Sequence, residues 1–276
     1  MTSPILEEKF VETASGKIFY YLNDNFPNRP TAVFLHGLSA NHTTWLEVIK
    51  ILHENGYNSL ALDLRGHGSS LKRKNRSLYK LPVFTDDLKR IIEIEKIKEF
   101  FLVGYSFGGS IAIDYAIKYP DSLLRLVLIS ANHTNPLEYK GTRFLTPLGY
   151  GLLNVLAFLL LWQKRKKYYY YKQGESRGYW HSVWIGLNTM PLAVNFWMLA
   201  QMGQLNFKKT IGNIKTPTLV IRAQNDPFLS AAEARDIIKA IPRAEIAIPK
   251  HPSHFLASRA QEEIAQIILD FVKIHS

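Results

Sequence analysis

Phe100-Phe101-Leu102-Val103-Gly104-Tyr105-Ser106-Phe107-Gly108-Gly109 runs directly into Ser110-Ile111-Ala112-Ile113-Asp114-Tyr115-Ala116-Ile117. The first four residues read as a buried strand and the last eight as a helix. Between them, Gly104-x-Ser106-x-Gly108-Gly109 forces a tight turn with a serine at its apex. Such a turn holds the serine in a strained backbone conformation, and its neighbours must be small because a Cβ there would clash. Strand, sharp turn and helix form the setting in which a serine hydroxyl is presented as a nucleophile. The short glycine–serine–glycine pattern recurs by chance, so the flanking elements carry the reading.

Strand and helix signals alternate on both sides of this turn. Strands are expected at 17–22, 32–35, 59–64 and 124–129, and again at 218–221 and 245–248. Helices are expected at 44–54, 82–96, 106–119, 231–240 and 261–273, from apolar residues at helical spacing. Thr44-Trp45-Leu46-Glu47, Ser230-Ala231-Ala232-Glu233 and Ser258-Arg259-Ala260-Gln261 have the form of capping boxes. Several strands are continuous apolar runs, as strands buried on both faces are. The expectation is an α/β fold with a mostly parallel central sheet flanked by helices. Residues 132–206 break the alternation and are rich in Leu, Tyr and Trp. They are expected to form a helical cap over the carboxyl ends of the strands, where open α/β sheets bind ligands. Residues 1–131 and 207–276 would then be the two parts of the core.

A chain of 276 residues can bury a sizeable core, and 47% hydrophobic with 21% charged residues is ordinary for a globular enzyme. No cysteine is present, which excludes disulfides, thiolate metal sites and a cysteine nucleophile. The start of the chain lacks the pattern of a signal peptide, so a cytoplasmic protein is expected. The net charge of +11 fits a solvated basic surface or attraction to an anionic partner. No nucleic-acid motif accompanies it, and neither a nucleic-acid partner nor a metal is expected.

A serine hydroxyl needs a base, and the base needs an orienting partner. Asp226 follows one late strand and His254 follows the next, in the chain order Ser, Asp, His. Parallel strands would bring the three loops to one sheet edge. Asp226 could instead serve only as a turn residue. His251 is a rival base, although the apolar Phe255-Leu256 favours His254. Backbone N–H groups should hold the oxyanion. One is that of Phe107; the other is that of Leu38 in His36-Gly37-Leu38-Ser39, where Gly37 permits the sharp turn. His36 is read as loop support, and Asp63-Leu64-Arg65-Gly66-His67-Gly68-Ser69 as a structural turn braced by Asp63 and Arg65.

Taken together, His36-Gly37, Asp63-x-Arg65-Gly66-x-Gly68-x-Ser70, Gly104-x-Ser106-x-Gly108-Gly109, Asp226 and His254 resemble the α/β-hydrolase superfamily. The likeness is to its single-cap branch of esterases and monoacylglycerol lipases. It spans nearly the whole chain outside the cap. It implies a cofactor-free serine hydrolase with the triad and oxyanion donors at the positions above. Three departures affect loop geometry: Ser253 stands where a glycine often precedes the histidine, the Glu-x-Pro that often follows is absent, and Ala223 or Gln224 replaces a glycine before the acid.

Residues 144–162 carry no charge and precede Lys164-Arg165-Lys166-Lys167. A membrane-spanning helix here would separate Ser106 from His254, and Pro147, Gly149 and Gly151 interrupt the run. The uninterrupted part is too short to span. One reading is a cap helix over the active site. The other is peripheral contact with an anionic membrane through the cap. Trp180, Trp184, Phe196 and Trp197 are expected to line an apolar substrate pocket, with Met190, Met198 and Met202. The expected reaction is hydrolysis of a small-molecule ester with an apolar group. C–C or amide cleavage on the same residues is an alternative, as is a non-catalytic small-ligand-binding role.

Overall fold

The computed structural model describes residues 6–135, 146–163, 184, 187–252, 254 and 256–273. In chain order the principal elements are β1 (Glu7–Thr13), β2 (Gly16–Asn23), β3 (Thr31–Leu35), α1 (Leu46–Glu54), β4 (Asn58–Leu62), α2 (Leu81–Ile94), β5 (Phe100–Tyr105), α3 (Phe107–Lys118) and β6 (Leu123–Ile129). Then follow α4 (Thr146–Leu159), α5 (Leu192–Met202), β7 (Thr218–Ile221), α6 (Ala231–Ala240), β8 (Ala244–Ala247), α7 (Leu256–Arg259) and α8 (Gln261–Lys273). The strands form an eight-stranded sheet in the order β1-β2-β4-β3-β5-β6-β7-β8. The β1–β2 and β2–β4 pairs are antiparallel, and every later pair is parallel.

The continuous apolar strands have a direct cause. Successive residues of a strand face opposite sides. Val33, Leu35, Leu102, Leu126 and Leu128 enter the core that packs α2 and α3, whereas Phe34, Phe101, Val103, Val127 and Ile129 enter the core that packs α1 and α8. Both faces are covered, so both sets must be apolar. Strand β1 escapes the same logic. It is an edge strand with a mostly exposed, charged sequence, so the sequence reading did not include it.

Capping differs from expectation at α1. Thr44 does not cap the helix. Asn41 caps a preceding 3₁₀ turn (His42–Trp45) by accepting from the N–H of Thr43, and α1 begins behind it. The Ser230–Glu233 capping box is present in both directions. The Ser258 side chain lies outside the described residues.

The chain between β6 and β7 carries α4 and α5. Its two ends are pinned together: Thr134 and Asn206 form an antiparallel bridge, and Phe207 N–H donates to the His133 carbonyl at 2.8 Å. Helix α5 is seated on the core through Val194, Trp197, Met198 and Met202, which with Met190 just before the helix share one apolar cluster with Leu64, Tyr79 and Phe107. A Cβ on Gly66 would lie 2.8 Å from Val194 Cγ1, so a glycine at this positive φ of 84° sets how closely α5 approaches.

Candidate active site

Ser106 stands between β5 and α3 at φ 51° and ψ −115°, outside the regions that non-glycine residues favour. The surrounding packing enforces this. A Cβ on Gly104 would meet the Gly108 carbonyl at 2.6 Å, and one on Gly108 would meet the Leu35 carbonyl at 2.4 Å. Helix α3 can therefore start immediately behind the serine and against the end of β3. The hydroxyl is carried at the helix N-terminus, where the dipole favours developing negative charge.

His254 and Asp226 meet. The His254 Nδ1 is 2.9 Å from Asp226 Oδ1 and 3.1 Å from Oδ2. Both residues are buried, at 8% and 7% exposure. Asp226 Oδ1 also accepts from the N–H of Phe228 at 2.9 Å and of Leu229 at 3.1 Å. Burial alone would raise this carboxyl. The bond and charge of His254, with the Phe228 N–H, outweigh burial and hold it below the usual carboxylate value. Nδ1–H thus donates to the carboxylate, and in that tautomer Nε2 is the unprotonated ring nitrogen.

The imidazole is held against the elbow by Tyr105, the residue before the serine. Its hydroxyl donates to the His254 carbonyl at 3.0 Å, and the two rings lie 5.5 Å apart. Phe228 covers the imidazole edge-on at 4.7 Å. Asn132 Nδ2 in turn donates to the Phe228 carbonyl at 2.5 Å. Sequence reasoning missed Tyr105, Phe228 and Asn132. The available hint was Tyr105 itself, a hydroxyl-bearing ring inside an otherwise apolar strand. Ser253 and Phe255, which flank His254, lie outside the described residues. Among the described residues the Ser106 hydroxyl forms no hydrogen bond.

The loop after β3 lies beside the serine. A Cβ on Gly37 would come within 3.4 Å of Ser106 Cβ and 3.0 Å of the Tyr105 ring. Among the described residues neither the N–H of Leu38 nor that of Phe107 has a hydrogen-bond partner. Two buried neutral histidines shape this loop. His36 donates from Nδ1 to the Gly37 carbonyl at 2.8 Å and accepts at Nε2 from Leu64 N–H at 3.0 Å. His67 accepts at Nε2 from Ser39 N–H at 3.1 Å and donates from Nδ1 to the Arg65 carbonyl at 2.9 Å. These partners assign the tautomers. Burial pushes His36 down to about 4, against the attraction of Asp63, and lowers His67 well below the ordinary value.

Asp63 braces the same region. Its Oδ1 accepts from the His42 N–H at 2.9 Å and its Oδ2 from the Ser69 N–H at 2.7 Å. Arg65 turns elsewhere, into a buried two-bond pair with Asp87 of α2 that includes a 2.7 Å contact. Above the loop, Asn195 of α5 donates to Ser39 Oγ at 2.5 Å.

The expected pocket residues are distributed unevenly. Trp197 is buried and stacks on Tyr79 at 6.2 Å, Phe196 is half-buried, and Trp184 is 55% exposed. Trp180 lies outside the described residues, as does Lys164-Arg165-Lys166-Lys167.

A family model described as the alpha/beta hydrolase fold matches residues 30–257. This chain is an α/β hydrolase. Curated relatives of the hydrolase include Epoxide hydrolase 3 of Xenopus tropicalis, 26% identical over 94% of this chain and 76% of that one. A monoacylglycerol lipase of Rattus norvegicus is 22% identical over 97% of this chain and 82% of the other. Among solved structures, a bacterial membrane phospholipase A superposes with a TM-score of 0.75 at 20% identity, covering 98% of this chain and 86% of that chain. An esterase from Exiguobacterium antarcticum gives 0.74 at 17% identity, covering 97% and 100%. At such identities the structures speak for the fold of this hydrolase alone.

Proposed function

We propose that this α/β hydrolase cleaves carboxylic esters with an apolar acyl or alcohol group, through an acyl-enzyme on Ser106. The observation that carries the reading is the buried His254–Asp226 pair, tied by Tyr105 to the elbow that strains Ser106. His254 Nε2 takes the proton as Ser106 Oγ attacks the carbonyl carbon. Asp226 holds the tautomer and stabilises the imidazolium. The N–H groups of Leu38 and Phe107 receive the oxyanion. Losing either donor typically costs ~10²–10³ in rate. His254 then passes the proton to the leaving alcohol, and water activated by the same nitrogen releases the acid.

The relatives include epoxide hydrolases and a monoacylglycerol lipase. The chemistry of the nucleophile separates the two readings. A serine oxygen that opened an epoxide would form an ether, which water does not cleave at an imidazole base. The same oxygen on a carbonyl forms an ester, which water does cleave. Ser106 at the elbow therefore favours the ester.

The test is covalent labelling by a fluorophosphonate, followed by hydrolysis of p-nitrophenyl esters of graded chain length. Labelling and turnover by the wild type, both lost in Ser106→Ala, are expected. A folded wild type that neither labels nor turns over would reject the reading in favour of a ligand-binding role. Labelling without ester turnover would move it to amide or C–C cleavage.

A further inference from the structure

Helix α4 and the turn behind it present an unusual outer surface. Every exposed residue between 147 and 162 is apolar or glycine. Leu148, Leu152, Val155, Leu159 and Trp162 recur at intervals of three and four, and Phe158 widens the stripe. Phe158 is 63% exposed and Trp162 86%. A helix that merely roofed a pocket would turn this face inward and show charge to water. Here the inward face is already used: Ala157 is fully buried in the core cluster.

The core folds a basic segment against the back of the same helix. Lys74 Nζ donates to the carbonyls of Leu161 and Gln163 at the carboxyl end of α4, the latter at 2.6 Å. Arg76 contacts the Tyr150 hydroxyl, with its guanidinium carbon 5.3 Å from the ring centroid. Arg73, Lys74, Arg76 and Lys80 are all exposed. The order from outside inward is thus an apolar face, a helix axis and a band of cations. That is the layering of acyl chains, interface and phosphates at an anionic bilayer.

We propose that the outer face of α4 docks this hydrolase on an anionic lipid bilayer, the helix lying in the interface with the 73–80 segment at headgroup level. The helix, at 14 residues and ~1.5 Å per residue, is too short to cross ~30 Å of hydrocarbon. Among the described residues no helix is long and apolar enough to cross a membrane. A second copy of the chain fits less well, because a contact made by α4 on both copies would bring two rims of Arg and Lys together.

Docking is independent of the reaction assigned to Ser106, so Ser106→Ala should bind vesicles like the wild type. Co-sedimentation with phosphatidylcholine vesicles, with and without phosphatidylglycerol, at low and high salt, measures it. Binding should require the anionic lipid and weaken with salt. Arg73→Gln with Arg76→Gln should weaken it about fivefold per charge removed. Leu152→Glu with Phe158→Glu should weaken it tenfold or more, with the thermal unfolding midpoint retained. Trp162→Ser, at the most exposed position, gives the same reading should the double variant fail to fold. Absence of wild-type binding, or binding indifferent to these substitutions, overturns the proposal. So does a wild-type dimer that Leu152→Glu with Phe158→Glu dissociates while vesicles are ignored.

Discussion

The hydroxyl of Tyr105 donates to the main-chain carbonyl of His254 across 149 positions of sequence. The residue that precedes the elbow serine thereby holds the loop that carries the imidazole. In Tyr105→Phe the His254 carbonyl loses its partner, and the loop gains freedom at the point where proton transfer needs a fixed ring. Ester turnover should fall about 3- to 10-fold in kcat with KM nearly unchanged, and stability by about 1 kcal/mol. Steady-state kinetics with urea unfolding would check it; an effect confined to KM would remove Tyr105 from this role.

Asp226→Asn separates orientation from loop structure. The amide oxygen can still accept from Phe228 and Leu229, so the turn should persist. It cannot hold the histidine tautomer and stabilise an imidazolium as the carboxylate does. We expect kcat to fall about 10³–10⁴-fold, and the fluorophosphonate labelling rate to fall with it, at a nearly unchanged unfolding midpoint. Residual activity near that of wild type would mean that another group orients the base.

Two glycines should respond oppositely to alanine. At Gly108 the new Cβ would sit 2.4 Å from the Leu35 carbonyl and 2.6 Å from that of His36, both backbone atoms. Gly108→Ala should cost more than about 3 kcal/mol or yield insoluble protein. At Gly149, within α4, a Cβ meets nothing within 4 Å. Gly149→Ala should stabilise by about 0.5–1 kcal/mol through helix propensity. Denaturant unfolding of the pair decides both.

Acid should weaken the fold in two steps. Folded His36 takes its proton only near 4, against 6.5 in the unfolded chain, because burial disfavours the charged ring. Between these values the unfolded state binds more protons. The stability due to neutral His36 is therefore complete above about pH 6.5 and is lost as pH falls towards 4, by about 3 kcal/mol at ~1.36 kcal/mol per unit. His67 adds in the same direction. Asp63 acts lower. Burial would raise it, but its bond to His42 prevails and brings it down to about 2 from 3.8. Its contribution is present above 3.8 and disappears between there and 2. Urea unfolding at pH 7, 5.5 and 4.5 should show the first step, flattened in His36→Gln. Equal stability at all three pH values would contradict the burial of neutral rings.

Much of the architecture was readable along the chain, because burial on both faces writes itself as unbroken apolar runs and a strained turn demands small residues at set spacings. The edge strand β1 was not, since an edge must look polar. Nor was the start of α1, where Asn41 caps the preceding 3₁₀ turn and α1 begins without a side-chain cap, although Thr44 had the spacing for one: a capping pattern states an ability, and the path of the loop decides its use. The expected pocket aromatics show the same limit. Trp197 is committed to Tyr79, while Trp184 stands open to solvent. Composition could name them as apolar but not say which surface each would meet.

The amino-acid order by itself determined the αβ alternation, the serine at its elbow, and a candidate acid and base in the strand-end loops that follow. These are local matters of periodicity, glycine placement and order along a parallel sheet. Only the tertiary structure decided that His254 meets Asp226, that Tyr105 fastens the two arms, that His36 and His67 stay neutral, and that α4 keeps its apolar face outward. Each of those depends on contacts between residues far apart in the chain and on the removal of water from between them, and no spacing along a chain encodes a distance that folding alone creates.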